Sequence, residues 1–121
     1  MASENLQRKL YDLEDRTLKF AKDVRSFVKL LPKTLGNIED SKQLIRSSGS
    51  VAANYIEANE GLSKKDFLMR IKICRKESKE SSLWLKLVET DGASRENCKK
   101  LLDESVELML IMSAIMRKSS L

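Results

Sequence analysis

The sequence predicts an all-α fold, an up-down-up-down antiparallel four-helix bundle, and three observations carry that expectation. Apolar residues recur at alternating three- and four-residue steps through four long segments, the spacing of one helix face. The links between the segments are short, which makes sequence neighbours antiparallel. The composition agrees: 41% hydrophobic and 34% charged residues, with one proline and four glycines in 121, leave too few turn residues for a sandwich of short strands. A chain of this length can bury a continuous core without metal or disulfide staples, so residues 1–121 are read as a single domain.

The first helix is predicted over about residues 5–31, with Leu10, Leu13, Phe20, Val24, Phe27 and Leu31 in one stripe and Thr17 filling its polar slot. Pro32 removes a backbone donor and biases Leu31 away from helical geometry, and Gly36 falls in the connection. A second helix, about 39–60, places Leu44, Ser48, Val51 and Tyr55 on one face. Its middle, Ser47 to Ser50, reads locally as a turn, because Gly49 alone costs about 1 kcal/mol relative to alanine. Periodicity on both sides favours a continuous helix whose small residues, with Ala52 and Ala53, admit a neighbouring backbone.

After Gly61, Ser63-Lys64-Lys65-Asp66 is a capping-box-like start: the serine oxygen accepts the N3 amide and the carboxylate favours the positive helix end. The third helix, about 64–89, carries Phe67, Ile71, Cys74, Ser78, Ser81, Leu85 and Val88 in its stripe. Gly92 marks the next turn, and the fourth helix, about 94–117, carries Cys98, Leu101, Ser105, Leu108, Met112 and Ile115. Three of the four glycines thus fall between helices in this reading.

The charge is unevenly placed. Between Ser63 and Thr90 lie eight basic and four acidic residues, a net of +4, whereas the remaining fifteen basic and fourteen acidic residues nearly cancel. Stepping about 100° per residue, seven of the eight, Lys64, Lys65, Lys72, Arg75, Lys76, Lys79 and Lys86, fall within about 120°, with Arg70 outside. Such a row can neutralise successive phosphates of RNA or DNA, and Lys72, Arg75, Lys76, Lys79 and Lys86 are the candidate contacts. The alternative is an ordinary solvated helix face, since Leu68 and Leu83 share the arc. The same wheel separates a second apolar sector, Met69, Ile73, Trp84 and Leu87, which a monomeric bundle does not need and a homo-oligomer contact does. Leu108 to Met112 likewise cover more than one face of the fourth helix; a wide core is the competing explanation.

Several chemistries are excluded or disfavoured. With no histidine, the chain builds neither a Ser-His-Asp nor a Cys-His arrangement, and a di-iron bundle lacks its Glu-x-x-His pairs. Phosphate-binding glycine loops are missing, and two cysteines without histidine make no structural zinc set. Cys74 and Cys98 read as small core residues in a reducing compartment. Glu57, Glu60, Glu77 and Glu80 are the dense carboxylates; salt bridges to Lys64, Arg75 or Lys76 are expected in preference to a Mg²⁺ site. No catalytic set, cofactor or metal is expected, and the protein is read as not an enzyme. The polar start MASENLQRKLYDLEDR has no signal-peptide core and the longest apolar run, Leu108 to Met112, is far short of the roughly 18 residues of a span, so a cytoplasmic protein without a membrane segment is expected.

QLIRSSGSVAANYIEANEGLSKKDFLMRIKICRKESKESSLWLKLV resembles the 23S rRNA intervening-sequence proteins, a four-helix-bundle family once labelled S23 ribosomal protein. The resemblance runs from about Phe20 to Arg117, and its most specific parts are the R-S-x-G-S-x-x-x-N run from Arg46 to Asn54, the S-K-K-D-F start at Ser63, and E-x-x-x-W-L from Glu80 to Leu85. Some relatives carry E-G-x-x-R across the turn, where this chain has Glu57-Ala58-Asn59-Glu60-Gly61-Leu62-Ser63, so a role of that arginine does not transfer. The resemblance implies long-helix bundles assembled into rings, typically pentamers. It also implies kinship with the accessory variability determinant proteins of diversity-generating retroelements, basic pentamers that bind nucleic acid and a reverse transcriptase. Arg46, Asn54, Glu57 and Asp66 are motif positions that either organise the turn between the second and third helices or form a functional surface. The expected function is a non-enzymatic oligomeric bundle binding RNA or DNA; the rival is a scaffold recruiting a protein partner, with lysines serving solubility alone.

Overall fold

A computed structural model describes the backbone of residues 2–119 and the side chains of residues 12–119, and within it the chain forms four α-helices: α1 (Ala2–Val28), α2 (Leu35–Asn59), α3 (Lys64–Leu87) and α4 (Arg95–Ser119). α1 and α3 each pack on both α2 and α4, and among the described residues the diagonal pairs make no close backbone approach, so the helices stand at the four corners of the bundle. Cross-helix contacts fix the directions. Asn59 at the end of α2 donates to Glu14, midway along α1, at 3.2 Å, while the short link after Val28 joins the end of α1 to the start of α2. Asn37 at the start of α2 meets Glu89 just beyond α3, and the Cys98 thiol at the start of α4 donates to the Leu85 carbonyl at the end of α3. Each sequence neighbour is therefore antiparallel, and the topology is up-down-up-down.

The stripes expected from periodicity form the core. Leu13, Thr17, Phe20, Val24, Phe27 and Leu31 from the first segment meet Leu44, Val51 and Tyr55 of α2, Ile71, Cys74 and Leu85 of α3, and Leu101, Leu108 and Met112 of α4. Leu10, the first position of that stripe, lies outside the described side chains. The polar slots of the stripes hold small hydroxyls that satisfy one another: Ser47 pairs with Ser81 at 2.8 Å and Ser82 with Ser105 at 2.6 Å. Ser78 and Ser81 also donate to carbonyls one turn back, at 2.8 and 2.9 Å. Buried hydroxyls paired in this way avoid the cost of unsatisfied polar groups and let α2, α3 and α4 approach closely.

Two expectations are corrected here. Gly36 is not in the connection: Thr34 caps α2 by accepting the Asn37 amide at 3.1 Å, and α2 begins at Leu35, with Gly36 in its first turn. Only Gly61 and Gly92 lie between helices. Second, α2 is continuous through Gly49, but the group that approaches this glycine is the Arg25 guanidinium of α1, which would sit 3.4 Å from an added Cβ, and not a backbone. The helix ends also differ slightly: α1 stops at Val28, with Leu31 buried after a tightened turn in which the Leu30 amide donates to the Phe27 carbonyl at 2.9 Å.

Candidate nucleic-acid interface

α3 is positioned by its start and by its buried face. Ser63, in extended backbone, accepts the Asp66 amide at 3.1 Å, as its spacing predicts, and Asp66 places a carboxylate at the positive end of the helix. Ile71, Cys74, Ser78, Ser81 and Leu85 are buried, and Phe67 packs half-buried against the core. That fixes the rotation of the helix about its axis, so the residues opposite must face outward.

Those residues are the basic row. Lys64, Lys65, Lys72, Lys76, Lys79 and Lys86 are exposed and Arg75 is half-buried. Among the described residues none of the seven makes an ion pair or a side-chain hydrogen bond; the ion pairs that do form use Arg16, Lys19, Lys42, Arg46 and Lys100. From Lys64 to Lys86 the row runs about 33 Å at 1.5 Å per residue, about one turn of a nucleic-acid duplex. Lys72 stands one turn from Lys76, and Arg75 one turn from Lys79, spacings at which like charges repel.

The basic row and part of the second apolar sector share one surface feature. Met69, Lys72, Ile73, Arg75, Lys76, Lys79 and Glu80 line a shallow hollow of about 480 Å³, with Met69 and Ile73 as its apolar part and four cations around them. Met69 is 47% and Leu87 53% exposed. Trp84 turns inward against the core, where its indole Nε1 is buried without a partner among the described residues. The four sector residues therefore divide: two are exposed, Ile73 is half-buried, and Trp84 is largely committed to its own bundle.

One cross-helix contact was not expected from spacing. Arg46 of α2 donates from Nη1 to Glu77 Oε2 at 2.9 Å and from Nη2 to Glu80 Oε2 at 3.1 Å. Glu77, only 5% exposed, sits where α3 turns toward α2, and its charge is the main cause that raises the Arg46 pKa above its ordinary value. The pair therefore does not go to Lys64, Arg75 or Lys76. A planar guanidinium serves two carboxylates at once, which a single ammonium cannot do in the same fixed geometry. The signal available in the sequence was the position of Glu77 one turn from Ile73 and from Ser81, at the edge of the buried stripe; its partner was not legible.

The other motif residues organise the same helix pair. Asn54 donates to the Ser50 carbonyl at 3.0 Å and accepts from Arg70 Nη1 at 3.1 Å, tying α2 to α3 and explaining why Arg70 stands apart from the basic row. Asp66 lies against Gly61, its Oδ2 3.2 Å from where a Cβ would stand. Glu57 is exposed, and its carbonyl receives the Glu60 amide at 3.2 Å as α2 ends. Burial pushes the Cys74 thiol up to about 12 and raises that of Cys98, so both are poor nucleophiles near neutrality. No helix among the described residues is long and apolar enough to cross a membrane.

Comparison with known proteins agrees with this architecture. A crystal structure of a protein of unknown function from the S23 ribosomal protein family of Bacteroides thetaiotaomicron VPI-5482 superposes with a TM-score of 0.79 at 30% identity, covering 90% of this chain and 98% of that one. No match was found among curated proteins. The family model described as 23S rRNA-intervening sequence protein matches residues 10–114, which reach into all four helices and include the whole of the Arg46 to Leu85 stretch. With nearly the full chain covered, this protein belongs to the 23S rRNA-intervening sequence protein family.

Proposed function

We propose that this protein is a non-enzymatic, self-associating bundle that binds RNA or DNA through phosphate contacts from Lys72, Arg75, Lys76, Lys79 and Lys86. The observation that carries this reading is the row of seven outward cations on α3, none of them matched by a carboxylate among the described residues. A face maintained only for solubility gains from interspersed opposite charges at helical spacing; this one keeps mutual repulsion that a polyanion would relieve.

The chemistry of the face also indicates what it would read. α3 has no asparagine or glutamine to pair with adenine edges, so any base contact would fall to Arg75 or the lysines at guanine, and no exposed aromatic residue among the described side chains offers a stacking platform for unpaired bases. Recognition falls mainly on the backbone and favours duplex over single strand through its higher charge density.

Fluorescence-anisotropy titrations against duplex RNA and duplex DNA over a range of salt test the proposal. Binding should weaken linearly on a logarithmic salt scale, and reversing Arg75, Lys76 and Lys79 to glutamate should lower that slope by about 3 while the helical circular dichroism is kept. A folded triple variant that binds as the parent does would refute the basic-face reading. No binding by the parent even at low salt would favour the scaffold reading, which draws on the exposed Met69 and Leu87 beside the hollow.

A further inference from the structure

We propose that Arg46 is a positioning residue for the basic face: from α2 it occupies Glu80, and so keeps Lys76 free for a phosphate. The inference rests on the reading of α3 as a nucleic-acid interface.

Lys76 and Glu80 stand four residues apart on one helix and line the same hollow. At that spacing opposite charges ordinarily pair across the helix surface. Here they do not: the Glu80 carboxylate receives Arg46 Nη2 at 3.1 Å, and Lys76 has no partner among the described residues. The arrangement is held from the buried side. Glu77 is nearly sealed from solvent and needs a cation, which Arg46 Nη1 supplies at 2.9 Å, while Nε approaches Gln43 Oε1 at 3.4 Å. With one arm committed to Glu77, the planar fork presents its other arm to Glu80. A buried carboxylate thus anchors the arginine, and the arginine shields the one acidic side chain that lines the basic hollow. A lysine at position 46 would be a single point charge and would not hold both carboxylates in fixed geometry.

Without Arg46, Glu80 is released to Lys76, and the row loses one effective cation. Two measurements on the full chain separate this from a general charge effect. In a double-mutant cycle, Arg46→Gln should lower the salt slope for duplex RNA by about 1, Glu80→Gln added to it should restore the parental slope, and Glu80→Gln alone should change affinity less than twofold. In parallel, the Lys76 side-chain ammonium resonance, observed by ¹⁵N NMR without nucleic acid, should show slower proton exchange in Arg46→Gln and revert in the double variant.

Glu80→Gln raising affinity equally in both backgrounds, or a Lys76 resonance indifferent to Arg46, overturns the proposal. Should Arg46→Gln unfold because Glu77 is left unmatched, Arg46→Gln with Glu77→Gln removes that buried charge and carries the same expectations. If the parent protein binds no duplex, the nucleic-acid reading fails by itself, and the Lys76 resonance still decides whether Arg46 keeps Glu80 away from it.

Discussion

Asn37 is a buried amide at the point where α2 begins, and it closes one end of the bundle. Its Nδ2 donates to the Pro32 and Glu89 carbonyls, both at 2.9 Å, and its Oδ1 accepts the Glu89 amide at 2.8 Å. Three backbone groups from two connections are thereby satisfied by one side chain, at a place where neither strand pairing nor helix continuation could do so. Asn37→Ala should cost about 1–3 kcal/mol in urea denaturation, the range for leaving buried polar groups unpaired, with secondary structure unchanged below the transition. Asn37→Asp should cost more, because a carboxylate would then face the Pro32 and Glu89 carbonyl oxygens. An unchanged midpoint in both would show that water replaces the amide. Nothing in the sequence marked this residue: an asparagine after a glycine in an apparent connection reads as a loop, and its partner lies 52 residues away.

At the scale of the element, α3 is a helix whose exposed face works against its own stability. The like charges of Lys72 and Lys76, and of Arg75 and Lys79, each destabilise by about 0.2–0.5 kcal/mol at helical spacing. Lys79→Glu should turn the contacts with Arg75 and Lys76 from repulsion to attraction and raise stability by about 0.5–1 kcal/mol at low salt, while duplex affinity falls. Opposite signs for stability and binding are what a functional face predicts; loss of both would assign Lys79 a structural role. α2 illustrates the converse. Ser47, Ser48, Gly49 and Ser50 are poor helix formers, yet α2 runs through them, because Ser47 pairs with Ser81 and the Gly49 surface receives Arg25. Packing decides where propensity is weak.

For the whole molecule, the exposed Met69 and Leu87 on α3, and Val106 and Leu110 on α4, are apolar side chains that the bundle itself does not use. We expect the α3 set to be a contact between copies, with Ile73 beside it and Trp84 supporting it from the core side. Multi-angle light scattering of the parent should give a mass several times the 13.8 kDa of one chain, and Met69→Glu combined with Leu87→Glu should reduce it to that of one chain without loss of helicity. A parent protein already at the mass of one chain would end the oligomer proposal. Because Met69 and Ile73 line the same hollow as Lys72, Arg75, Lys76 and Lys79, the double variant should also be titrated with duplex, to separate assembly from phosphate binding.

The four helices, their order, the capped start of α3 at Ser63 and the outward direction of the basic row are all legible in the chain's local pattern. Each follows from periodicity, capping or sequence-adjacent spacing, which act over one or two helical turns. The start of α2 is harder to read because Gly36 resembles a linker, although Thr34, three residues before Asn37, is a cap residue. Which charges meet follows from the packing of the helices. Arg46 lies 31 residues from Glu77, and Asn37 lies 52 from Glu89; nothing in local spacing distinguishes them from other polar residues. They find each other because packing the four apolar stripes brings α2 against α3, and a buried carboxylate or backbone amide must then be satisfied by whatever polar group that packing delivers.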